Sequence, residues 1–249
     1  MLRFNANTQS ILLCVFLFLS SHFIIKKKVF VEGGETMKRT VITVSREYAS
    51  GGREVARLLA EKLNIPFYDK ELMTYLAKES GIDKELFMAI NEKISFANFY
   101  FGDAPQLRKG AHSLRDLGAL SLVQRIQEVQ EKLIRNLANE SCVIVGRCSD
   151  YILKDDPDVI SIFLRANLVD KKKRAVNEYG ESIENVNERL MQVDMKRANY
   201  YNYFTDRVWG KANNYDLILS TSTLGLEKSA DLLCAMIQLK NKREDEDCQ

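Results

Sequence analysis

The chain has 249 residues, 46% of them hydrophobic and 28% charged, which is the composition of an ordinary globular protein. The formal net charge is +2, so the molecule has no global positive field with which to recruit nucleic acid. Five cysteines without a CxxC pair and two histidines predict neither a structural zinc site nor a disulfide framework, and so favour a reducing compartment.

The first 36 residues differ from the rest of the chain. Residues 11–25 form an apolar run that three lysines (26–28) follow, whereas a membrane-spanning helix needs about 20 apolar residues. The run could be a signal peptide with a weak basic start, or a membrane anchor whose lysines keep the body in the cytoplasm. We favour a third interpretation, translation that begins at Met37, because Glu32-Gly33-Gly34 can be encoded by a bacterial ribosome-binding sequence. Under the second and third interpretations the domain from residue 37 onwards is expected in the cytoplasm, either free or anchored to the membrane.

The elements of the domain begin with an apolar strand at 40–45. A helix at 52–64 follows, with its apolar residues on one face. Residues 65–69 predict a second strand, and two further helices are predicted at 70–81 and 83–93, each opened by an acidic or capping residue.

A segment without a clear period, 94–115, is interpreted as a loop or insertion. A long amphipathic helix at 116–138 comes next, and 142–147 and 159–166 are buried strands. The remaining elements are a helix after the predicted N-cap Asn167, a long polar helix at 182–204, a strand at 215–221 and a helix at 224–240.

Five apolar strands that alternate with helices predict an α/β fold with a parallel sheet covered on both faces. Ligands of such sheets bind at the carboxyl ends of the strands. The residues that follow the strands are therefore the candidates for a site: 46–54, 69–73, 147–150, 166–170 and 221–223.

Three ordered stretches carry a resemblance to a known family. They are VSREYASGGREVARLLAEKLNIPFYDKELM (44–73), VIVGRCSDYIL (143–153) and DMKRANYYNYFTDRVWGKANNYDLILSTSTLG (194–225). They resemble the cytidylate kinase-like proteins, a bacterial branch of the P-loop nucleoside monophosphate kinases. The similarity extends from about residue 38 to residue 239.

The resemblance implies a P-loop NTPase-type three-layer sandwich for residues 37–249, with a helical lid at about 182–210. It also implies transfer of the γ-phosphoryl group of ATP to CMP or dCMP, with Mg²⁺. The partners are then nucleotide substrates and no nucleic acid, with a membrane involved only if 11–25 is a real anchor; the oligomeric state stays open. The alternatives are a non-catalytic nucleotide-binding or regulatory protein and a kinase of another small acceptor.

The loop SREYASGGRE lacks the Gly-Lys-Ser/Thr of a usual P-loop, in which the lysine reaches the β- and γ-phosphates. Backbone N–H groups and a helix N-terminus can still bind phosphate, and Ser50, Gly51 and Gly52 are small enough for a close approach. We predict that Arg53 replaces the lysine as a bidentate clamp. Arg46 and Glu54 complete the predicted ATP-binding residues.

The magnesium ligands are less well defined, because the usual hydroxyl residue of the loop is absent. Ser50, Asp69 and Asp150 are the candidates. Asp69 is also positioned to cap the helix predicted at 70–81.

Arg147 is predicted to bind the acceptor, because it directly follows a central strand and a buried arginine needs an anionic partner. Related cytidylate kinases carry Gly-Arg-Asp here, whereas this chain has Gly146-Arg147-Cys148. Asp69 and Asp150 are further candidates for substrate binding, and Cys148 is interpreted as a small packing residue.

The predicted lid helix carries three cations, Arg189, Lys196 and Arg197, ahead of a tyrosine cluster. A lid can bring cations to developing negative charge and exclude water, so Arg197 joins Arg53 and Arg147 as a predicted catalytic residue, and Arg189 and Lys196 are predicted to bind substrate. Lys171–Arg174 is interpreted as a solvated helix face. Arg108, Lys109 and Arg115, with Phe96, Phe99 and Tyr100, are weaker candidates for acceptor recognition.

Overall fold

A computed structural model describes residues 38–69, 71–83, 85–86, 88–89 and 114–246. The apolar run at 11–25 and nearly all of the segment 94–115 lie outside these residues, as do the boundary at 36/37 and part of the helix predicted at 83–93. Within the described ranges, no helix is both long enough and apolar enough to cross a membrane.

Five parallel strands form one sheet in the order β2-β3-β1-β4-β5. The central strand β1 pairs with β3, where Val41 faces Cys142, and with β4, where Val41 faces Val159. Both pairings are parallel, so the carboxyl ends of the three central strands meet at one edge. The strands are Val41–Arg46 (β1), Phe67–Tyr68 (β2), Cys142–Val145 (β3), Val159–Arg165 (β4) and Leu217–Ser220 (β5).

Seven helices accompany the sheet in the described part of the chain. Five of them begin and end within four residues of the bounds predicted for them, and the last helix extends six residues beyond its predicted end. The remaining helix has only four residues, too few for a period to show in the sequence. The helices are Gly52–Leu63 (α1), Glu71–Ser80 (α2), Leu114–Leu137 (α3), Ser149–Ile152 (α4), Leu168–Asn177 (α5), Val186–Thr205 (α6) and Thr221–Glu246 (α7).

The helices cover both faces of the sheet. On one face, Val41 and Ile144 pack with Leu72 of α2 and Ile134 of α3. Because successive strand residues point to opposite faces, Ile42 points to the other face, where α1 packs on β1 and α7 packs on α1 and β4. The described chain is therefore the predicted P-loop NTPase-type three-layer α/β sandwich with five parallel strands.

The C-terminal half of α6 belongs to the core. Tyr200, Tyr201 and Phe204 are buried and pack with Leu76 of α2 and Ile126 of α3. These aromatic residues explain why one end of an otherwise polar helix is buried. They also bring α6 to the edge of the sheet at which β1 and β3 end. The role of the helix as a lid stays a prediction.

Candidate active site

The carboxyl ends of β1, β2 and β3 open into a cavity of about 720 Å³ that α2 and α6 complete. Its polar lining includes Arg46, Asp69, Arg147, Lys196 and Arg197. Five residues predicted from separate stretches of the sequence are thus brought to a single cavity.

The loop between β1 and α1 leaves the N-terminus of α1 open. Gly51 takes a left-handed conformation (φ 74°) as the N-cap and, as a glycine, makes no side-chain capping bond. The Ser50 hydroxyl donates to the Glu47 carbonyl (2.8 Å) and accepts the Gly52 N–H (3.2 Å). A Cβ on Gly52 would lie 2.6 Å from the Cβ of Arg46. Gly52 therefore lets the start of α1 pack closely against the strands, and the N–H groups of a helix N-terminus are suited to bind an anion.

Other elements hold the loop from outside. The Thr221 hydroxyl, at the start of α7, donates to the Ser50 carbonyl (2.6 Å). Arg174 of α5 donates to the Ala49 carbonyl (2.8 Å). These bonds occupy two loop carbonyls and fix the loop relative to the sheet.

Asp69 joins two of the predicted phosphate ligands. It is only 7% exposed; one carboxylate oxygen lies 3.4 Å from the Arg46 guanidinium, and the other accepts the Nε–H of Arg53. The side chain therefore bridges two arginines, and its role as a cap of α2 stays a prediction. Burial, and next the nearby Arg197, lower the pKa of the Arg46 guanidinium to about 9, which leaves it cationic at neutral pH.

Arg147 lies in an unusual backbone segment. Gly146, Arg147 and Cys148 all have positive φ values (75°, 57° and 55°), a conformation that residues other than glycine rarely adopt. A Cβ on Gly146 would lie 2.6 Å from a guanidinium nitrogen of Arg46. The Arg147 guanidinium stands over the ring of Tyr200, 5.2 Å from its centroid. The turn thus places the arginine at the cavity wall.

The helix α6 contacts the loop through two side chains. Arg197 donates to the Arg46 carbonyl (2.9 Å). Asp194 accepts the N–H of Tyr48 (2.5 Å) and a bond from Lys171 (2.8 Å). The helix predicted to be a lid is thus in contact with the loop between β1 and α1, which is the predicted phosphate loop.

The interpretation of Lys171–Arg174 as a solvated face is wrong for its two end residues. Lys171 is buried between Glu47 (3.3 Å) and Asp194, and Arg174 reaches the phosphate loop. One feature of the sequence is consistent with this burial: Lys171 and Ala175 are four residues apart on one helical face, and both are buried.

Arg189, Glu54 and Asp150, three of the predicted site residues, are not among those that line the cavity. Arg189 donates to Glu181 (3.0 Å) and is 44% exposed. Glu54 accepts the hydroxyl of Tyr179 (3.2 Å). Asp150 is buried and accepts the hydroxyl of Tyr201 (2.7 Å), while its second oxygen has no partner among the described residues. Burial raises the pKa of Asp150 despite that hydrogen bond.

The described residues contain no group of three or more histidines, cysteines or acidic residues arranged to hold a metal ion. Mg²⁺ in phosphoryl-transfer sites is usually held by one or two carboxylates together with substrate phosphates and water. Of the three candidates, Asp69 lines the cavity, and a carboxylate offers about four lone-pair positions, so it can keep its arginines and still fit a cation. The Ser50 hydroxyl is engaged within the loop, and its role as a ligand stays a prediction, as does that of Asp150.

Comparisons with known proteins agree with this geometry. The model of the cytidylate kinase-like family matches residues 41–223. A protein named cytidylate kinase from Methanosarcina barkeri (strain Fusaro / DSM 804) is 26% identical over 199 residues, which cover 77% of this chain and 93% of the relative. The crystal structure of an uncharacterized protein from Eubacterium ventriosum ATCC 27560 has a TM-score of 0.60 at 28% identity, covering 80% of this chain and 99% of that one.

Proposed function

Because this chain belongs to the cytidylate kinase-like family, we propose that it transfers the γ-phosphoryl group of ATP to a nucleoside monophosphate, CMP or dCMP. The observation that carries the proposal is the convergence of arginines from β1, the β3 turn and α6 on one cavity. The proposal places the reaction in the cytoplasm.

The charges in the cavity call for an anionic ligand. Arg46, Arg147, Lys196 and Arg197 line it, and Asp69 is the carboxylate among its described lining residues. All four cations are partly buried, and partly desolvated cations of this number are stabilised when anions neutralise them. A nucleotide phosphate is dianionic and accepts bidentate hydrogen bonds from guanidinium groups, so it fits the site.

On the donor side, the open N-terminus of α1 supplies backbone N–H groups for the ATP phosphates. Arg53, in the first turn of that helix, is oriented by the buried Asp69. We propose that this guanidinium takes the place of the missing lysine, since phosphoryl transfer is catalysed by positioning and by neutralising the developing charge. Arg46 lies between this side and the acceptor side.

On the acceptor side, Arg147, Lys196 and Arg197 would hold the monophosphate. Met73, Tyr200 and Trp209 line the same cavity and provide the apolar and aromatic surface that a base requires. The phosphate of CMP is itself the nucleophile, so the site needs positioning and charge neutralisation rather than a strong base.

Mg²⁺ is the metal that this reaction implies, and Asp69 is the described residue that would hold it, with the nucleotide phosphates as further ligands. When bound, Mg²⁺ neutralises charge on the β- and γ-phosphates.

One observation favours a second candidate function. The loop has Gly52 where usual P-loops have the catalytic lysine, so a protein that binds nucleotides without turnover is the alternative. The backbone part of the phosphate site would be the same in both.

The test is a coupled assay of the full-length protein with ATP, Mg²⁺ and each of CMP, dCMP, UMP, AMP and GMP. We expect turnover with CMP or dCMP. ATP binding without turnover of any monophosphate would contradict the kinase and support the non-catalytic alternative. Turnover of only another monophosphate would keep the reaction and correct the acceptor.

A further inference from the structure

Gln130 is a buried polar residue on the apolar face of α3. It is 1% exposed, and Ile126 and Ile134, one turn before and after it, are equally buried. A buried amide is costly unless it is hydrogen-bonded. The burial of Gln130 therefore indicates that its side-chain amide has specific hydrogen-bond partners, which apolar packing would not provide.

Both ends of the Gln130 amide are engaged at the acceptor side of the cavity. The Nε2 group donates to the Arg147 carbonyl (3.1 Å). The Oε1 atom accepts the hydroxyl of Tyr200 (2.8 Å). Since the Tyr200 ring lies under the Arg147 guanidinium, a single amide fixes both the backbone that carries this guanidinium and the ring on which it rests.

The backbone at Arg147 needs such support. Arg147 and Cys148 are L-residues in the left-handed region, and strained conformations of this kind persist only where their surroundings hold them. The bond from Gln130 is directed at the carbonyl within this segment, so it restrains the turn that aims the arginine.

We infer that Gln130 is a positioning residue for Arg147 and sets the affinity of the site for the acceptor phosphate. The inference rests on the proposed function, in which Arg147 holds the monophosphate. Gln130 does not line the main cavity and would act only through Arg147 and Tyr200. Its loss should weaken acceptor binding and leave ATP binding on the other side of the cavity unchanged.

The test compares Gln130→Met, which keeps the side-chain length but cannot hydrogen-bond, with Gln127→Met on the exposed side of the same helix. Acceptor and ATP KM values are measured in the full-length protein. Acceptor binding is measured apart from turnover through the fluorescence of Trp209, the single tryptophan, in titrations with CMP and with inorganic phosphate. We expect Gln130→Met to raise the acceptor KM and Kd about tenfold, because its hydrogen bonds are lost and their partners stay desolvated. The KM for ATP should be unchanged, and Gln127→Met should behave like wild type.

Tyr200→Phe is the second variant, because it keeps the ring under Arg147 and removes only the hydroxyl. It should raise the acceptor KM by a smaller factor, about threefold, and it tests the network if Gln130→Met does not fold. An acceptor KM unchanged in these variants, or acceptor and ATP affinities that fall together, would overturn the inference.

The outcome for wild type separates this inference from the proposed function. Absence of turnover with every monophosphate contradicts the kinase, while weaker CMP or phosphate binding by Gln130→Met would still support the positioning role. Turnover by wild type with unaltered acceptor binding in Gln130→Met contradicts the positioning role alone. Absence of CMP and phosphate binding to wild type would overturn both.

Discussion

The proposed replacement of the missing lysine depends on the pair of Arg53 and Asp69. Arg53 is partly exposed in the first turn of α1, and the buried Asp69 accepts its Nε–H. Guanidinium groups recognise phosphate oxygens in a planar, bidentate arrangement, which is the role that we propose for Arg53. A lysine ammonium in the same place would offer only a point charge.

Replacing Arg53 by Ala tests this role. We expect kcat to fall by roughly 10²–10³, the size typical of the loss of one charged transition-state contact. The matched control is Arg57→Ala, one turn further along α1, where the side chain is exposed and pairs with Glu61. Steady-state kinetics should show the control at wild-type turnover. Unchanged turnover in Arg53→Ala would remove Arg53 from the clamp.

Three of the predicted cavity residues lie at strand ends. Arg46 ends β1, Asp69 follows β2, and Arg147 lies two residues after β3, so the topology of a parallel sheet is enough to predict that they meet. Lys171, Arg174 and Gln130 were not predicted as parts of the site, because their contacts depend on how α5 and α3 pack against distant segments. A charged residue in a basic run and a glutamine in an apolar stripe look ordinary until the packing is known.

At the scale of elements, α6 is in direct contact with the loop between β1 and α1. Asp194 of α6 accepts the N–H of Tyr48 and pairs with Lys171, which is 9% exposed. The carboxylate therefore ties together the helix, the loop and α5. The Tyr48 N–H of the loop is thus already bonded to the Asp194 carboxylate when a phosphate binds the loop.

Asp194→Asn should destabilise the protein by about 1–3 kcal/mol, because the buried Lys171 loses a charged partner. The control is Glu188→Gln in the exposed first turn of α6, whose partner is Gln192 on the same helix, and its effect should be below about 0.5 kcal/mol. Urea unfolding at pH 7 measures both free energies. Equal midpoints for the two variants would show that the contact contributes nothing to stability.

Element boundaries were predicted best where hydrophobic periodicity alone sets them. The strands β1, β3 and β4 lie within two residues of their predicted bounds, and Asn167 caps α5 as expected by accepting the N–H of Asp170. The strand predicted at 65–69 is shorter, Phe67–Tyr68, because it is an edge strand that pairs with β3 alone. The helix predicted from residue 224 begins at Thr221 and is interrupted at Gly225 (φ 76°, ψ 177°), which no periodicity shows.

At the scale of the whole molecule, one cluster of charged residues joins several elements at the end of the sheet opposite to the cavity. Arg39, just before β1, donates two bonds to Asp156 (2.6 and 2.7 Å), one to Asp158 (3.1 Å) and one to the Ala138 carbonyl (2.5 Å). It thus joins the entry to β1, the end of α3 and the turn before β4. Burial alone would raise the pKa of Asp156, but the hydrogen bonds from Arg39 and the Asp158 N–H, together with the positive charges of Arg39 and Lys240, outweigh it and hold this pKa below its usual value.

This depressed pKa predicts a loss of stability in acid. The stabilisation from Asp156 is present above the unfolded-state pKa of about 4 and is lost as the pH falls through the lower folded-state value. Asp156→Asn should therefore cost about 1 kcal/mol at pH 7, a value reduced for partial solvent exposure, and progressively less below pH 4. Urea unfolding across this range, with the exposed neighbour Asp155→Asn as control, checks it. A cost that did not shrink in acid would contradict the ionic origin.

The central place of β1 has a consequence for synthesis on the ribosome. This strand is made first, yet both of its neighbours, β3 and β4, come much later in the chain. At 5–20 residues per second, the wait for β4 is on the order of ten seconds. During that interval the apolar strand is unpaired and available to chaperones, and the phosphate loop behind it has no fixed shape. A nascent chain released before Arg165 would carry every residue of that loop without the sheet that forms the site.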